Sequence, residues 1–370
     1  MIDPRRFLAI LLLIPCLGIA APLAEEERLK PQWLALDNDG DGRVGLDEVH
    51  PMQAAAMRNS DFDGDGFISL AEYVAYDHDP GGAGQRPLAD NVRWVADIPY
   101  AATDDPRQRL DIYLPKSAEV DGPLPVIAYV HGGAWRTGSR IMARSQVMAH
   151  VDSGRYAAIS IGYRLSWQDS WPAQIHDLKA AIRWIRANAD EYGLDPGRIC
   201  ALGPSAGGHL VAMLGTTNAV AELEGTLGDH GDQSSDVQCV IDFFGPADFR
   251  VADDAAIGGP VVELLGGHPA ENPELAAAAS PLHHVKAGAP PFLIVHGTRD
   301  PLVSHSDSVA LTKALDEAGV PVIFQTVDGG GHGDFGDAAA EVERRVRAFL
   351  ERNFYDPSVE VPSNTLKSAP

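Results

Sequence analysis

A serine between two glycines is the first feature of this chain that could perform chemistry. Gly203-Pro204-Ser205-Ala206-Gly207 directly follows the apolar run 199–202, and this pattern predicts a strand that turns sharply into a helix. Glycines suit such a turn because the crowded backbone leaves no room for a Cβ. The turn would expose the Ser205 hydroxyl, which becomes a nucleophile when an adjacent base removes its proton.

Two further residues could supply that base and its partner. The strand-like run 292–295 leads into Asp300, and the run 322–327 leads into a glycine-rich loop that contains His332. A histidine can take the Ser205 proton near neutral pH and return it to the leaving group. A carboxylate beside it holds the imidazole in the useful tautomer. Ser205, Asp300 and His332 are therefore the predicted catalytic residues.

Each of these residues also has a structural interpretation. Ser205 suits a tight turn, His332 a glycine-rich loop, and Asp300 a turn or a helix cap. His296 and Asp334 lie close in sequence to the proposed acid and base and are alternatives to them. The position of all three residues at strand ends favours the catalytic interpretation.

A second glycine-bearing segment could stabilise negative charge. Residues 131–135 read His-Gly-Gly-Ala-Trp and follow the apolar run 126–130. The tetrahedral intermediate of acyl transfer carries an oxyanion that needs hydrogen-bond donors already in place. We expect the backbone N–H groups of Gly133, Ala134 and Ala206 to be those donors.

Three neighbouring residues receive secondary roles. Gly132 is a further candidate oxyanion donor. His131 is expected to order the oxyanion loop through hydrogen bonds rather than to act as a base. Asp195, in the sequence Asp-Pro-Gly-Arg, is expected to be a turn residue before the nucleophile strand.

Alternating strands and helices must position these groups. Eight strand-like runs are present, at residues 93–98, 110–114, 126–130, 157–161, 198–202, 237–243, 292–295 and 322–327. The later runs are continuously apolar, as strands buried on both faces are. Helical periodicity is clearest over 174–188 and 337–352. The pattern predicts an α/β fold with an eight-stranded, mostly parallel sheet and helices on both faces.

Several motifs together resemble those of a known family. They are His-Gly-Gly-Ala-Trp at 131–135, Tyr-Arg-Leu at 163–165, Pro-Ala-Gln at 172–174, Gly-Pro-Ser-Ala-Gly-Gly-His-Leu at 203–210, Phe-Phe-Gly-Pro at 243–246 and His-Gly-Thr-Arg-Asp-Pro-Leu-Val at 296–303. Residues 93–353 resemble the α/β-hydrolase esterases with an HGG(G/A)W oxyanion loop. The nearest branch is the bacterial carbohydrate-ester and feruloyl-esterase-like group, which is related to the hormone-sensitive-lipase esterases. The resemblance implies an α/β-hydrolase fold and a serine esterase; Ala134 departs from it, since a third glycine is usual there.

The N-terminus is typical of an export signal. Arg5 and Arg6 precede an apolar run at 7–20, which is short for a membrane span. Cleavage after Ala20 is expected, which would give a secreted or periplasmic protein without stable membrane insertion. A retained anchor is the alternative, and Cys16 gives only a weak lipoprotein signal because Pro15 precedes it.

Charge and cysteine content limit the partners. The formal net charge is −23, and loss of Arg5, Arg6 and Asp3 with the signal gives −23 − 2 + 1 = −24. Such a chain should repel nucleic acid and anionic membranes. Cys200 and Cys239 would remain, and we expect both to be buried free thiols.

Two acidic 12-residue loops near the N-terminus predict calcium binding. Residues 37–48 and 61–72 repeat one pattern 61 − 37 = 24 residues apart. Calcium prefers six to eight oxygen ligands, which a loop with a glycine turn and a final bidentate glutamate supplies. The expected ligands, with Arg43 and Phe67 acting through backbone carbonyls, are Asp37, Asp39, Asp41, Arg43, Glu48, Asp61, Asp63, Asp65, Phe67 and Glu72.

The pair of loops resembles an EF-hand pair. Val44 and Ile68 occupy position 8, where paired loops meet through a short strand contact. The 24-residue period is similar to that of a dockerin, the calcium-loop module of cellulose-degrading complexes. Glu48 and Glu72 at position 12 favour EF-hands. We expect structural Ca²⁺ that stabilises or tethers, with a protein partner for the pair as an option and no cofactor for catalysis.

The domain boundaries follow from these features. They are a signal peptide at 1–20, an EF-hand pair at 21–79, a linker at 80–89, an α/β-hydrolase domain at 90–353 and a polar tail at 354–370, expected to be disordered. Residues 248–284 are expected to form a lid, a pocket wall or surface helices. Trp135, Trp167 and Trp171 would line the site mouth or pack its loops.

The predicted function is that of a secreted serine carboxylesterase. It would act on small acyl or hydroxycinnamoyl esters, including esters on polysaccharide, through an acyl-enzyme. One alternative is an amide hydrolase, such as an arylformamidase or a prolyl-oligopeptidase-like peptidase. Another is a calcium-dependent binding protein on a hydrolase scaffold.

Overall fold

The structure is a computed structural model of the 370-residue chain. It describes residues 88–251 and 259–368, and, nearer the N-terminus, residues 30, 33–34, 36–37, 39–45, 48 and 65–77. The predicted signal peptide at 1–20, most of the linker at 80–89 and the ligands Asp61 and Asp63 lie outside the described residues.

A nine-stranded sheet forms the centre of the described residues. Its strands are β3 (Val92–Pro99), β4 (Arg109–Pro115), β5 (Leu124–Val130), β6 (Ala157–Ile161), β7 (Leu194–Pro204), β8 (Cys239–Phe243), β9 (Phe292–Gly297), β10 (Val322–Asp328) and β11 (Leu366–Lys367). Their order across the sheet is β11-β10-β9-β8-β7-β5-β6-β4-β3. All neighbouring pairs from β11 across to β6 are parallel, whereas the pairs β4–β6 and β3–β4 of this sheet are antiparallel. The predicted mostly parallel sheet is confirmed, and all eight predicted runs contain a strand.

Helices cover both faces of this sheet. Helix α1 (Leu70–Asp77) precedes the sheet and belongs to the N-terminal described residues. The helices of the sheet region are α2 (Ala143–Gln146), α3 (Met148–Asp152), α4 (Ala173–Ala187), α5 (Ala189–Tyr192), α6 (Ala206–Thr216), α7 (Ala221–Glu224), α8 (Gly259–Leu265), α9 (Pro273–Ala278), α10 (Pro281–His284), α11 (His305–Glu317) and α12 (Ala339–Phe354). Short 3₁₀ turns occupy Arg140–Met142, Phe249–Val251 and Gly336–Ala338. The two predicted helices correspond to α4 and α12.

The strand residues alternate between two hydrophobic cores. In β5, Val126 and Ala128 pack in one cluster, which also receives Ile182 of α4. Ile127 and Tyr129 pack in the other cluster with residues of α12. Successive side chains of a strand point to opposite faces, so a continuously apolar strand needs a helix layer on each side.

The C-terminal tail is ordered over 354–368, and the prediction of disorder there is wrong. Its residues 366–367 form β11, which pairs in parallel with β10 and raises the strand count from eight to nine. The Arg345 guanidinium of α12 donates to the carbonyls of Pro362 and Asn364. A buried cation therefore holds a segment whose own composition gave no sign of structure.

Cys200 and Cys239 form a disulfide, so the prediction of two free thiols is also wrong. They lie directly opposite each other on β7 and β8, with their Cα atoms 4.5 Å apart. That separation is within the range a disulfide needs. The sequence places these residues 39 positions apart and does not show that their strands are neighbours.

The N-terminal described residues contain a small separate pairing. Strand β1 (Val44–Gly45) is antiparallel to β2 (Phe67–Ile68), and Val44 lies opposite Ile68. Both side chains are buried against Trp33. None of the helices in the described part of the chain is long and apolar enough to span a lipid bilayer.

Candidate active site

Ser205 occupies the sharp turn between β7 and α6. Its backbone has φ 56° and ψ −122°, a conformation rare for a residue with a side chain. A Cβ on Gly203 would come within 2.5 Å of the Gly207 backbone, and one on Gly207 within 2.2 Å of the Val130 carbonyl. The glycines therefore let the turn pass close to β5, as the sequence pattern predicts.

Asp300 and His332 are brought together across β9 and β10. The Nδ1 of His332 lies 2.7 Å from Oδ2 of Asp300. The Asp300 side chain is fully buried, whereas that of His332 is 18% exposed. Because a carboxylate only accepts, Nδ1 carries the proton and donates it. The Nε2 atom is then left with the lone pair that a general base requires.

The remaining bonds to Asp300 keep it ionised. Its Oδ1 accepts the N–H groups of Leu302 and Val303 at 2.8 and 3.0 Å. Burial alone would raise the pKa of Asp300, but hydrogen bonds from His296 and His332 and from the Val303 amide bring this pKa well below its usual range. The Asp300 carboxylate is thus charged at neutral pH.

Phe244 connects the serine turn to the histidine loop. The N–H of Ser205 donates to the carbonyl of Phe243, and the N–H of Phe244 donates to that of Val295. The Phe244 ring packs 4.5 Å from the His332 ring, centroid to centroid. Among the described residues the structure contains no Ser205–His332 hydrogen bond, and such bonds often tighten only when substrate is bound.

The oxyanion loop lies against the serine turn. A Cβ on Gly132 would be 2.9 Å from the Pro204 carbonyl and 3.5 Å from Cβ of Ser205. Gly133 and Ala134 both have positive φ, at 113° and 52°. The non-glycine Ala134 therefore adopts a conformation of the kind glycine favours.

Backbone bonds close this loop on itself. The Gly133 carbonyl accepts the N–H groups of Arg136 and Thr137, both at 3.0 Å. Ala206 is the first residue of α6, where backbone N–H groups have no intrahelical acceptor. Gly133, Ala134 and Ala206 thus stand on segments that meet near Ser205, and their role as oxyanion donors stays a prediction.

His131 orders the oxyanion loop. Its Nδ1 donates to the Gly132 carbonyl at 2.8 Å, and its own carbonyl accepts from the Tyr163 hydroxyl. Burial lowers the pKa of His131 to about 3. A neutral, fully buried imidazole suits the expected positioning role. Asp195 is the second residue of β7, so the prediction that it is a turn residue before this strand is wrong. Its carboxylate accepts the Gly197 N–H and pairs with Arg198.

The three tryptophans near the site differ in exposure. Trp135 and Trp171 are buried and pack on the ring of His209, so they hold loops in place. Trp167 is 46% exposed. It follows Ser166, whose N–H donates to the Trp135 carbonyl at 2.8 Å.

The described part of segment 248–284 packs beside these loops. Glu263 of α8 pairs with Arg136, which directly follows the oxyanion loop. The carbonyl of Leu264 accepts from the N–H of Trp171 at 2.7 Å. Helix α8 therefore forms part of the wall next to the oxyanion loop.

Two buried groups near the site were not assigned a role by the sequence. His296, considered only as an alternative acid or base, lies 3.2 Å from Oδ2 of Asp300. Asp242 ends an apolar run in β8, and burial raises its pKa to about 6. A lone carboxylate in an apolar strand was the only available signal for Asp242. The other alternative, Asp334, is exposed.

The first acidic loop brings carboxylates together. Oxygen atoms of Asp37, Asp39 and Glu48 lie within 4.8 Å of one another. Asp41 accepts the N–H of Arg43 at 2.8 Å. This all-oxygen donor set fits a hard cation such as Ca²⁺. In the second loop Asp65 is exposed and Glu72 accepts from Ser69.

Comparison with known proteins gives consistent matches. The BD-FAE family model matches residues 110–315, and the TAP-like protein model matches residues 274–357. Ser205 lies in the first match, His332 in the second, and Asp300 in both.

Named relatives are esterases. Esterase LipC of Mycobacterium tuberculosis is 34% identical over 237 residues, which cover 62% of this chain and 58% of LipC. Esterase LipQ of the same organism is 34% identical over 266 residues, covering 70% and 61%. The chain thus spans less than two thirds of the length of either relative.

A solved structure of an esterase also matches this chain. A truncated form of carbohydrate esterase from gut microbiota is 34% identical, with a TM-score of 0.67, over 72% of this chain and 99% of that one. Its fold is that of the described catalytic region.

Proposed function

The chain belongs to the BD-FAE family, and on that premise we propose that it is a serine carboxylesterase with Ser205, His332 and Asp300 as its catalytic triad. The observation that carries the proposal is the 2.7 Å bond from His332 Nδ1 to the buried Asp300, beside the strained turn of Ser205. The esterase names of the relatives support the reaction class.

The proposed mechanism has two steps, and His332 acts as base and then as acid in each of them. His332 Nε2 takes the proton of Ser205 as the hydroxyl attacks the ester carbonyl. Asp300 stabilises the imidazolium that forms, and His332 then gives its proton to the leaving alcohol. In the second step His332 takes a proton from water as the water attacks the acyl carbonyl, and it returns that proton to the Ser205 oxygen when the acyl–oxygen bond breaks and the acid leaves. The N–H groups of Gly133, Ala134 and Ala206 receive the oxyanion, each worth about 3 kcal/mol of transition-state stabilisation.

For the substrate we propose small acyl or hydroxycinnamoyl esters, including esters carried on polysaccharide. The carbohydrate esterase that shares the fold supports this choice. So does the exposed Trp167 beside the oxyanion loop, since an exposed indole can stack on a sugar or aromatic ring. A panel of acetyl, butyryl, feruloyl and longer acyl esters tests it, and an enzyme that prefers long acyl chains would contradict it.

The decisive test of the reaction class is Ser205→Ala. Hydrolysis of p-nitrophenyl acetate should fall by several orders of magnitude in a folded protein. The matched control is Ser117→Ala at an exposed serine, which should retain wild-type activity. A Ser205→Ala enzyme with undiminished turnover would refute the proposal.

We also propose that the loop at 37–48 binds structural Ca²⁺ as half of an EF-hand pair. The clustered oxygens of Asp37, Asp39 and Glu48 and the pairing of Val44 with Ile68 support this. Calcium should raise the unfolding midpoint of the N-terminal module and EDTA should lower it. The variant Glu48→Gln should reduce this response, and an unfolding curve indifferent to both additives would contradict the proposal.

We also propose that the protein is exported and that its signal peptide is cleaved after Ala20. The buried disulfide is consistent with folding in an oxidising compartment. N-terminal sequencing of protein recovered outside the cytoplasm tests the cleavage site. A mature N-terminus that still contains the apolar run would contradict it.

A further inference from the structure

A fully buried histidine lies behind the carboxylate of the proposed triad. His296, the fifth residue of β9, has a completely buried side chain. Its Nε2 lies 3.2 Å from Oδ2 of Asp300 and 3.1 Å from the Val303 carbonyl. Its Nδ1 lies 2.7 Å from the Ser308 hydroxyl on α11. His332 donates from Nδ1 to the same Oδ2 atom of Asp300 at 2.7 Å.

The partners of His296 fix its tautomer. Both neighbours of Nε2, the Asp300 carboxylate and the Val303 carbonyl, can only accept a hydrogen bond, so Nε2 carries a proton. The Ser308 hydroxyl can donate to Nδ1. The result is one directional chain, in which Ser308 donates to His296 and His296 donates to Asp300.

We propose that His296 is a positioning residue for the reaction, which holds Oδ2 of Asp300 in place for His332 and draws off part of its negative charge. The inference rests on the proposed function, because it concerns the same triad. A carboxylate that accepts a second buried N–H is a weaker partner for the imidazolium. His296 would therefore lower the basicity of His332 as well as fix its orientation.

Other titratable groups surround His296. The His305 ring packs 5.4 Å away, centroid to centroid. Asp242 of β8 and Asp307 of α11 both interact with His296 electrostatically. Since these groups titrate too, the test compares variants at position 296 with each other rather than relying on one pH profile.

The test is the pH profile of kcat/KM on p-nitrophenyl acetate, whose acid limb reports protonation of His332 in the free enzyme. His296→Met fills the space without a donor. Its acid limb should move to higher pH by about one unit, and its plateau should fall roughly tenfold to a hundredfold. His296→Gln keeps an N–H donor, so its limb should return close to that of the wild type.

Two further variants separate positioning from stability. His150→Gln removes another buried histidine, which lies on α3 near Tyr156. It should leave the acid limb in place even if the unfolding midpoint falls. Ser308→Ala removes the donor to Nδ1 and should move the limb in the same direction as His296→Met, by a smaller amount. If His296→Met does not fold, Ser308→Ala decides.

Failure of this inference can be distinguished from failure of the proposed function. The inference is overturned if the acid limb of His296→Met lies at the same pH as that of the wild type or at a lower pH. It is also overturned if the acid limb of Ser308→Ala does not move. In either case Ser205→Ala would still be inactive. Undiminished turnover by Ser205→Ala would instead remove the triad itself.

Discussion

Asp242 should make the protein less stable as pH rises, and Asp242→Asn should remove this contribution to the pH dependence. Its side chain lies in β8, where Oδ1 accepts the Gly245 N–H at 2.9 Å. The other oxygen, Oδ2, is buried with no hydrogen-bond partner among the described residues. A Cβ on Gly208 would lie 2.4 Å from Oδ1, so the start of α6 packs closely against this carboxylate.

The magnitude follows from the pKa. Burial raises the pKa of Asp242 from 3.8 to about 6, with the nearby Asp307 adding to the rise and His296 opposing it. The native state therefore binds a proton more tightly than the unfolded chain. The stability from this group is fully present below pH 4 and is lost as pH rises through 6. The difference of about 2 pH units corresponds to about 3 kcal/mol.

Asn keeps an oxygen for Gly245 but has no charge to bury. The advantage of Asp242→Asn over wild type in free energy of unfolding should be near zero at pH 4 and should grow to about 3 kcal/mol above pH 7. Urea unfolding at intervals from pH 4 to 8, with the disulfide intact, measures it. The control Asp232→Asn, at an exposed carboxylate, should show no such slope. An Asp242→Asn advantage that is constant across this range would refute the reasoning.

Three further perturbations test other parts of the structure. Asp300→Asn should reduce kcat by roughly 10⁴-fold, because the amide favours the wrong tautomer of His332. The native pKa of Asp300 is lowered, so the wild type should lose stability below pH 4, and Asp300→Asn should not show this loss. Gly207→Ala should fail to fold or lose activity, because its Cβ would lie 2.2 Å from the Val130 carbonyl, whereas Gly231→Ala meets nothing within 4 Å and should be neutral by circular dichroism and turnover. Complete reduction of Cys200–Cys239, 39 residues apart, should lower the free energy of unfolding by about 4 kcal/mol, and denaturation of the double Ala variant should not respond to reductant.

Much of the fold was predictable because its signals are local. The apolar runs that became β5 and β8 are buried on both faces, and a strand of that kind has a recognisable composition. The prediction missed β11 because two residues in a polar tail have no such pattern. Their order depends on β10 and on the Arg345 guanidinium, which lie elsewhere in the sequence.

The candidate site was predictable to a similar extent. The types and order of Ser205, Asp300 and His332 indicate the chemistry without a structure. His296 was considered only as a substitute for one of them, because sequence proximity to Asp300 does not reveal that its Nε2 faces the carboxylate.

The sequence by itself determined which groups could react, since a nucleophile, a base and an acid are recognised by residue type and local turn. Tertiary structure alone decided which groups are neighbours. The register of β7 against β8 pairs Cys200 with Cys239, and the packing of α11 on β9 brings Ser308 to His296. These contacts join residues 39 and 12 positions apart. They exist because the sheet order, not the chain order, sets distance in an α/β fold.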